Sequence, residues 1–469
     1  MNLFLFLNNG LQNLMTKRII IFSLLLVFIL SSGFGCKTTS PQTAAATAPI
    51  TLTFWQTYDD TDAFTDIIAK YQAIHPNITI EFKKFRYEEY ENELLNAWAE
   101  DRGPDIFAIQ NTWVKKYQPK LTPMPTNITM AYMVQSGVQN TPTPQLQTNT
   151  SLTIRDLKNN FADVVYGDVV LEDGKIYGLP LSVDTLAIFY NRDLFNNSGI
   201  TTPPLFWNTE FQQSIKKLSK QDPKKGLIQS GIALGTSKNI SRFSDILSVL
   251  MMQNGAVMTD GNQVTFQSVP PTMSNNYNPG LEALRFYTDF ANPAKEVYSW
   301  NNDMPNSLEA FASGNLAIFF GYSFDIAQIR AQSPKLNFGI AKLPQIEGNP
   351  MEVNFANYWV ESVSKKSQHP NEAWDFIQFM TKEENAKIYL TKTKKPTALK
   401  SLINSQKDDE DLGVFADQVL SAKSWYHGKS VTDAEAAIGE MIDAALVAPT
   451  DKLTDVLSEG AVKVQQTIN

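Results

Sequence analysis

From Ile50 onward the chain alternates between two kinds of hydrophobic spacing. Ile50 to Trp55 is a β-rich run followed by the polar Gln56, Thr57, Tyr58, Asp59 and Asp60. Phe64, Ile67, Ile68, Tyr71 and Ile74 then recur at helical intervals, which predicts an amphipathic helix. His75-Pro76 ends that helix, and Ile78, Ile80 and Phe82 alternate as a half-buried strand. Tyr87, Tyr90, Leu94 and Trp98 line a second helix that stops at Gly103-Pro104. Asp105 to Ile109 follows as a short apolar strand of the kind buried in parallel sheets. This alternation predicts a doubly wound α/β lobe. A ligand of such a lobe sits in the loops beyond the carboxyl ends of its strands, here Gln56 to Asp59 and Gln110 to Trp113.

The stretch 119–151 is rich in Thr, Pro, Gln and Asn and shows little periodicity, which predicts a surface excursion without core residues. Asp173-Gly174 is a hairpin-type turn leading into a β-rich run that ends at Tyr190. A second alternating region covers Phe211 to Phe320, including the amphipathic Leu281, Leu284, Arg285, Tyr287 and Thr288. The last part is mostly helical: Trp374, Ile377, Phe379 and Met380 mark one helix, and Ile438, Met441, Ile442 and Ala445 another.

Ahead of this body, Ile19 to Leu30 is apolar except for Ser23, follows Lys17-Arg18, and gives way to small residues before Cys36. A basic start, a short apolar stretch and small residues predict a cleaved export signal over 1–35, with Met15 a second candidate start. The run is too short for a membrane-spanning helix. The segment ending in Gly35-Cys36 resembles a lipobox, in which Cys36 carries the lipid, although Gly33 and Phe34 depart from the usual aliphatic and small residues. A plain secretory signal with a free thiol is the alternative. Residues 36–49, rich in Thr, Ala, Ser and Pro, read as a tether.

Composition narrows the function. The chain has 469 residues, 43% of them hydrophobic, and is long enough to divide into two lobes. With 40 basic and 48 acidic side chains its formal charge is −8, and loss of Lys17 and Arg18 with the leader makes it −10. That balance removes the attraction on which nucleic-acid binding depends. One Cys and three His, none at metal-ligand spacing, give no disulfide framework and no His/Cys metal site.

Several motifs carry a resemblance. Asp173-Gly-Lys-Ile-Tyr-Gly-Leu-Pro, then Tyr190-Asn-Arg-Asp-Leu-Phe195, then Pro203-Pro204 with Trp207, is similar to the crossing segment of extracellular solute-binding proteins of the maltose-binding-protein type. Gly103-Pro-Asp-Ile-Phe107, Phe311-Ala-Ser-Gly-Asn-Leu-Ala-Ile318 with Gly321-Tyr-Ser, Gly339-Ile-Ala-Lys-Leu-Pro344 and His369-Pro-Asn-Glu-Ala-Trp-Asp-Phe-Ile377 follow in the family's order. The resemblance runs from Ile50 to the end of the chain, apart from the Thr/Pro-rich stretch. It implies an α/β, two-lobed periplasmic-binding-protein-like fold, each lobe a doubly wound sheet, with a hinge between them. Lobe one would hold 50–182 and 361–410, and lobe two 187–356 and 412–469, with crossings near 183–186, 357–360 and 411. It further implies a monomer without cofactor or catalytic residue that binds a small polar solute, foremost a sugar, and hands it to the membrane permease of an ABC-type importer. The protein would be exported and anchored to the outer face of the cytoplasmic membrane through Cys36, or else be periplasmic or secreted.

A sugar site needs aromatic rings for C–H faces and planar polar groups for hydroxyls. The expected cleft supplies Gln56, Tyr58, Asp59, Asn111 and Trp113 from lobe one. The crossings supply Asp184, Asn357, Tyr358 and Trp359, and lobe two supplies Tyr322, Ser323 and Trp425. Asp184 falls where the family places a ligand-meeting carboxylate. Tyr322-Ser323 stands where sugar binders often have Pro-Trp, which leaves the substrate open among sugars, polyamines, peptides and phosphorylated polyols. Trp55 at a strand end reads as core, and Asp105 as a turn residue. An enzyme has little support. Ser214-Ile-Lys-Lys217 and Ser362-Val-Ser-Lys365 fit Ser-x-x-Lys without partner motifs, and Asp59-Asp60 and Asp408-Asp409 are adjacent carboxylates in polar runs. His75, His369 and His427 sit beside turns.

Overall fold

A computed structural model describes residues 41–136, 141–274 and 276–468. The expected leader, Met15, the lipidated Cys36 and the first part of the tether lie outside the described residues. Among the described residues no helix is long and apolar enough to cross a membrane.

The first strand, Ile50–Gln56, pairs in parallel with Ile78–Lys84 on one side and Ile106–Gln110 on the other. The helices Asp62–Ile74 and Tyr87–Ala99 make the two crossovers, with Phe64, Ile67 and Tyr71, then Tyr90, Leu94 and Trp98, turned inward. Trp359–Ser364 returns antiparallel beside Ile106–Gln110, and Leu121–Thr122 closes that edge. Ile106, Phe107, Ala108 and Ile109 are all fully buried, as a strand covered on both faces requires. Asp105 accepts from Thr53 N (2.9 Å) and Thr53 Oγ1 (3.0 Å), and so pins the turn that feeds this strand.

A second five-stranded sheet has the order Phe338–Ala341, Ala187–Asn191, Leu316–Gly321, Gly226–Ile232, Lys220–Asp222. Here the Tyr190-Asn-Arg-Asp-Leu-Phe195 motif has a local purpose. Asn191 ends the strand, and its Oδ1 accepts from Asp193 N (3.0 Å) and Leu194 N (3.1 Å), starting the helix Arg192–Asn197. Each sheet has its own core. One hydrophobic cluster gathers buried residues between Ile50 and Val183 and between Ala356 and Ile403, with Val419 and Ala422. The other gathers Leu186 to Leu343, Phe415, and Trp425 to Ile468.

Between the two lies a small sheet of three short strands: Asp184–Thr185 antiparallel to Asn354–Asn357, which runs parallel to Ala422–Lys423. Its last strand lies downstream of Asp411, whose carboxylate is held near the surface by Arg330 (2.6 and 2.7 Å).

The stretch 119–151 corrects the sequence expectation. It forms a long hairpin, Asn127–Ser136 against Thr141–Thr150, and its first strand buries Ile128, Met130 and Ala131 in the first lobe. Tyr132 OH donates to Asp375 Oδ1 (2.8 Å), and the buried His75 Nδ1 lies 3.0 Å from Ala131 O. His75 is therefore a bracket for the hairpin as well as the end of a helix. Its core contribution is not legible in the sequence because it rests on a few residues of one strand, Ile128, Met130 and Ala131, surrounded by Thr and Pro.

Candidate functional site

Between the lobes is a cavity of about 260 Å³. Eight of the expected residues line it: Gln56, Tyr58, Asp59, Asp184, Ser323, Asn357, Tyr358 and Trp359. They converge because the strands Ile50–Gln56, Ile106–Gln110 and Trp359–Ser364 present the loops at one rim of the first sheet toward the second lobe. A wider hollow of about 600 Å³ near Trp207, Asn254, Phe286 and Leu453 is walled by the second lobe alone, so its occupancy has no direct link to the space between lobes.

On the first lobe, Tyr58 stacks on Tyr87 (centroids 5.7 Å) and meets Trp359 edge-on (5.5 Å). Tyr58 is 53% exposed and Tyr87 44%, an unusual amount of aromatic face left to solvent in a cleft. Desolvation pushes the Tyr58 phenol up to about 12, so it stays an O–H donor. Beneath these rings Asp59 accepts from Tyr389 OH (2.7 Å) and Lys395 Nζ (2.6 Å). Gln56 donates through Nε2 to Glu361 Oε1 at 2.7 Å.

On the second lobe, Ser323 donates to Asp184 Oδ2 through its backbone N (2.9 Å) and Oγ (2.6 Å), while Thr185 N donates to Asp184 Oδ1 (2.9 Å). Burial pushes the Asp184 carboxyl up to about 7 against these three hydrogen bonds. Phe324, 48% exposed, stacks on Tyr322 (5.6 Å), and the Arg242 guanidinium lies 5.3 Å from both ring centroids. Gly321 leaves room for this turn, since a Cβ there would stand 2.6 Å from Asp325 Oδ2, which accepts from Tyr322 N (2.9 Å).

Four expected residues are placed elsewhere. Trp113 is buried, with its ring against Trp359 (5.7 Å) and Tyr117 (6.0 Å), and does not reach the cavity wall. Tyr322 is fully buried and donates to Asp245 Oδ2 (2.8 Å), so it supports Phe324 and Arg242 rather than lining the space. Asn111 and Trp425 border a neighbouring hollow of about 60 Å³. Asn111 there donates through Nδ2 to Asp168 Oδ2 (2.9 Å).

Asp168 is the joint that sequence reading missed. Its carboxylate is 1% exposed, accepts from Asn111, Tyr358 OH (2.6 Å) and Ser424 Oγ, and lies 2.9 Å from His427 Nε2. Burial by itself raises such a carboxyl, yet His427, Ser424 and Tyr358 together hold it below the usual range. Three separate stretches of chain meet at this one side chain. No local pattern marks it, because its partners lie 57, 190, 256 and 259 residues away.

The structure also adds Tyr87, Arg242, Phe324, Glu361, Tyr389 and Lys395 to the cavity wall. Tyr87 reads in sequence as a helix-lining residue, but it begins its helix and turns its ring outward. Glu361 alone carried a signal: a carboxylate inside a strand whose other members from Val360 to Ser364 are buried.

The comparisons agree with this architecture. Residues 57–387 match the family model described as bacterial extracellular solute-binding protein. The galactooligosaccharide-binding protein of Bacillus subtilis is 22% identical over 83% of this chain and 82% of its own length. The melibiose/raffinose/stachyose-binding protein of the same organism is 21% identical over 92% and 93%. Among solved structures, the cyclic alpha-maltosyl-1,6-maltose binding protein of Arthrobacter globiformis superposes with a TM-score of 0.70 at 18% identity, covering 90% of this chain and 99% of that one. The sugar-binding protein MalE of Xanthomonas citri gives 0.67 at 19%, covering 89% and 97%. The two sheets, the space between them and the family match over 57–387 together make this chain a member of the bacterial extracellular solute-binding proteins, with the two-lobed α/β fold of the maltose-binding type.

Proposed function

We propose that the protein receives an oligosaccharide in the space between its lobes and delivers it to the membrane permease of an ABC-type importer. The observation that carries this reading is the composition of the cavity wall: solvent-facing rings of Tyr58, Tyr87 and Phe324 beside Asp59, Gln56, Asn357 and Asp184. Rings take the C–H faces of pyranosides, and planar side chains take their hydroxyls. The galactooligosaccharide- and melibiose/raffinose/stachyose-binding relatives support the same class.

The chain passes between lobes at 183–186 and 357–360 and again in the region from 411 to the strand Ala422–Lys423, and the lobes close about these segments. A ligand touching both walls favours the closed form by its differential affinity. Export follows from the leader over 1–35, with a lipid on Cys36 tethering the domain to the membrane. The test is a titration of the purified protein with raffinose, stachyose, maltotriose and galactooligosaccharides, read by tryptophan fluorescence. A saturable change with one of them supports the reading; silence with all of them, or steady turnover of a glycoside, overturns it. Cys36→Ser is expected to release the protein from membranes.

A further inference from the structure

Glu361 lies in the strand Trp359–Ser364, where both its neighbours, Val360 and Ser362, are fully buried. Both its backbone groups are held by Leu179, with N donating to Leu179 O (3.0 Å) and O accepting from Leu179 N (3.1 Å). The side chain is only 4% exposed and lines the cavity. An apolar residue would suit such a position, and burying a carboxyl there without full hydrogen bonding is costly. Oε1 is satisfied by Gln56, but Oε2 is buried and has no partner.

The neighbouring groups are already engaged. Asp59, Lys395 and the Tyr389 hydroxyl form a closed set, with Lys395 Nζ also 3.2 Å from Tyr389 Oη. Tyr90 OH donates to backbone oxygens of Ala108 (2.7 Å) and Trp55 (3.2 Å). A buried polar atom without a partner, on a side chain that lines a cavity, is satisfied when a group entering that cavity reaches it.

Resting on the carbohydrate reading above, we infer that Glu361 is a ligand-contacting residue of the cavity floor, its Oε2 hydrogen-bonded to a hydroxyl of the bound saccharide. A hydroxyl is the fitting partner because it both donates and accepts. Burial, reinforced by the Asp59 charge and opposed by Gln56 and Lys395, pushes the Glu361 carboxyl up to about 8, so at neutral pH it also both donates and accepts.

The experiment is calorimetry with the tightest-binding sugar among raffinose, stachyose and maltotriose, on wild type, Glu361→Ala and Glu361→Gln, each first checked by thermal melting. Glu361→Ala is expected to weaken binding about tenfold, the loss of one buried hydrogen bond. Glu361→Gln keeps a donor and an acceptor and should stay within about threefold at pH 7. From pH 7.5 to 9.5 wild-type affinity should fall, since sugar binding desolvates an acid that is by then ionised, whereas the Gln variant should stay flat. Of the other groups facing Glu361, Tyr90 and Tyr389 are held by burial well above the usual phenol range, and Asp59 and Lys395 face it as an ion pair. Asp184, at about 7, finishes its titration in the lower part of this window in both proteins, so the difference between wild type and Glu361→Gln reports Glu361. Wild-type binding with an unchanged Glu361→Ala affinity, or parallel pH profiles for wild type and Glu361→Gln, overturns the role of Glu361 alone. Failure of wild type to bind any of the sugars overturns this inference and the carbohydrate reading together.

Discussion

The cavity wall built from the first lobe differs from the one built from the second in how its rings are supported. Tyr58, Tyr87 and Trp359 form a cluster of three rings resting on the first sheet, with acids and a lysine below them. The second lobe contributes one ring to the cavity wall, Phe324, backed by Tyr322 and the Arg242 guanidinium. Tyr322 is in turn fixed to Asp245 and Asp325. The first wall is a broad aromatic platform, which under the proposed function is the one that engages a sugar first. The second is a narrow, strongly braced arm, whose contacts the proposed closure would bring onto the ligand. Asp168 and the small central sheet decide how one is held against the other.

The largest effect is expected from breaking that joint. Asp168→Ala leaves Asn111, Tyr358, Ser424 and His427 without their common acceptor and should lower unfolding stability by about 3–5 kcal/mol, measured by chemical denaturation. Next comes the platform itself. Trp359→Ala should weaken sugar binding by about 2 kcal/mol, roughly thirtyfold, against about 1 kcal/mol for Phe324→Ala. Equal losses in calorimetry would erase the distinction between platform and arm.

The braced arm also predicts a pH dependence. Asp184 is raised in the folded state, so between about pH 4 and 7 the unfolded chain releases a proton that the folded one keeps. Its stabilising contribution is therefore complete below the unfolded pKa and is lost as pH rises toward 7. Asp184→Asn should make the decline in melting temperature over that range shallower. Part of the slope should remain, because burial also raises Glu361 to about 8 and Glu435 to about 7. The smallest effect belongs to the lobe-to-lobe contact between Lys115 and Asn262 at the surface. Lys115→Ala should change stability by less than about 1 kcal/mol and leave sugar affinity within about twofold.

The alternating spacing of Phe64, Ile67 and Tyr71, and then of Ile78 and Ile80, made the first lobe legible, because periodicity reports directly which face of an element is buried. Loops at strand ends were equally legible as cavity residues, as Gln56, Tyr58 and Asp59 show. The aromatic residues were harder to assign. A Trp in a loop can face the cleft or cap a core, and Trp359 lines the cavity while Trp113 packs beneath it. In Tyr322-Ser323-Phe324, Ser323 and Phe324 line the cavity, the hydroxyl of Ser323 bound to Asp184, and the ring of Tyr322 turns away into the core.

Sequence alone determined the type of each lobe, the rim at which the loops gather and the kinship carried by the ordered motifs. Only the tertiary structure decided which rings face solvent, that Asp168 joins residues from three stretches of chain, and that Glu361, in the cavity wall, is left with a buried oxygen without a partner. The physical reason is distance along the chain. Periodicity records a residue's relation to its neighbours within a few turns, whereas Glu361 meets Gln56 across 305 positions and Lys395 meets Asp59 across 336.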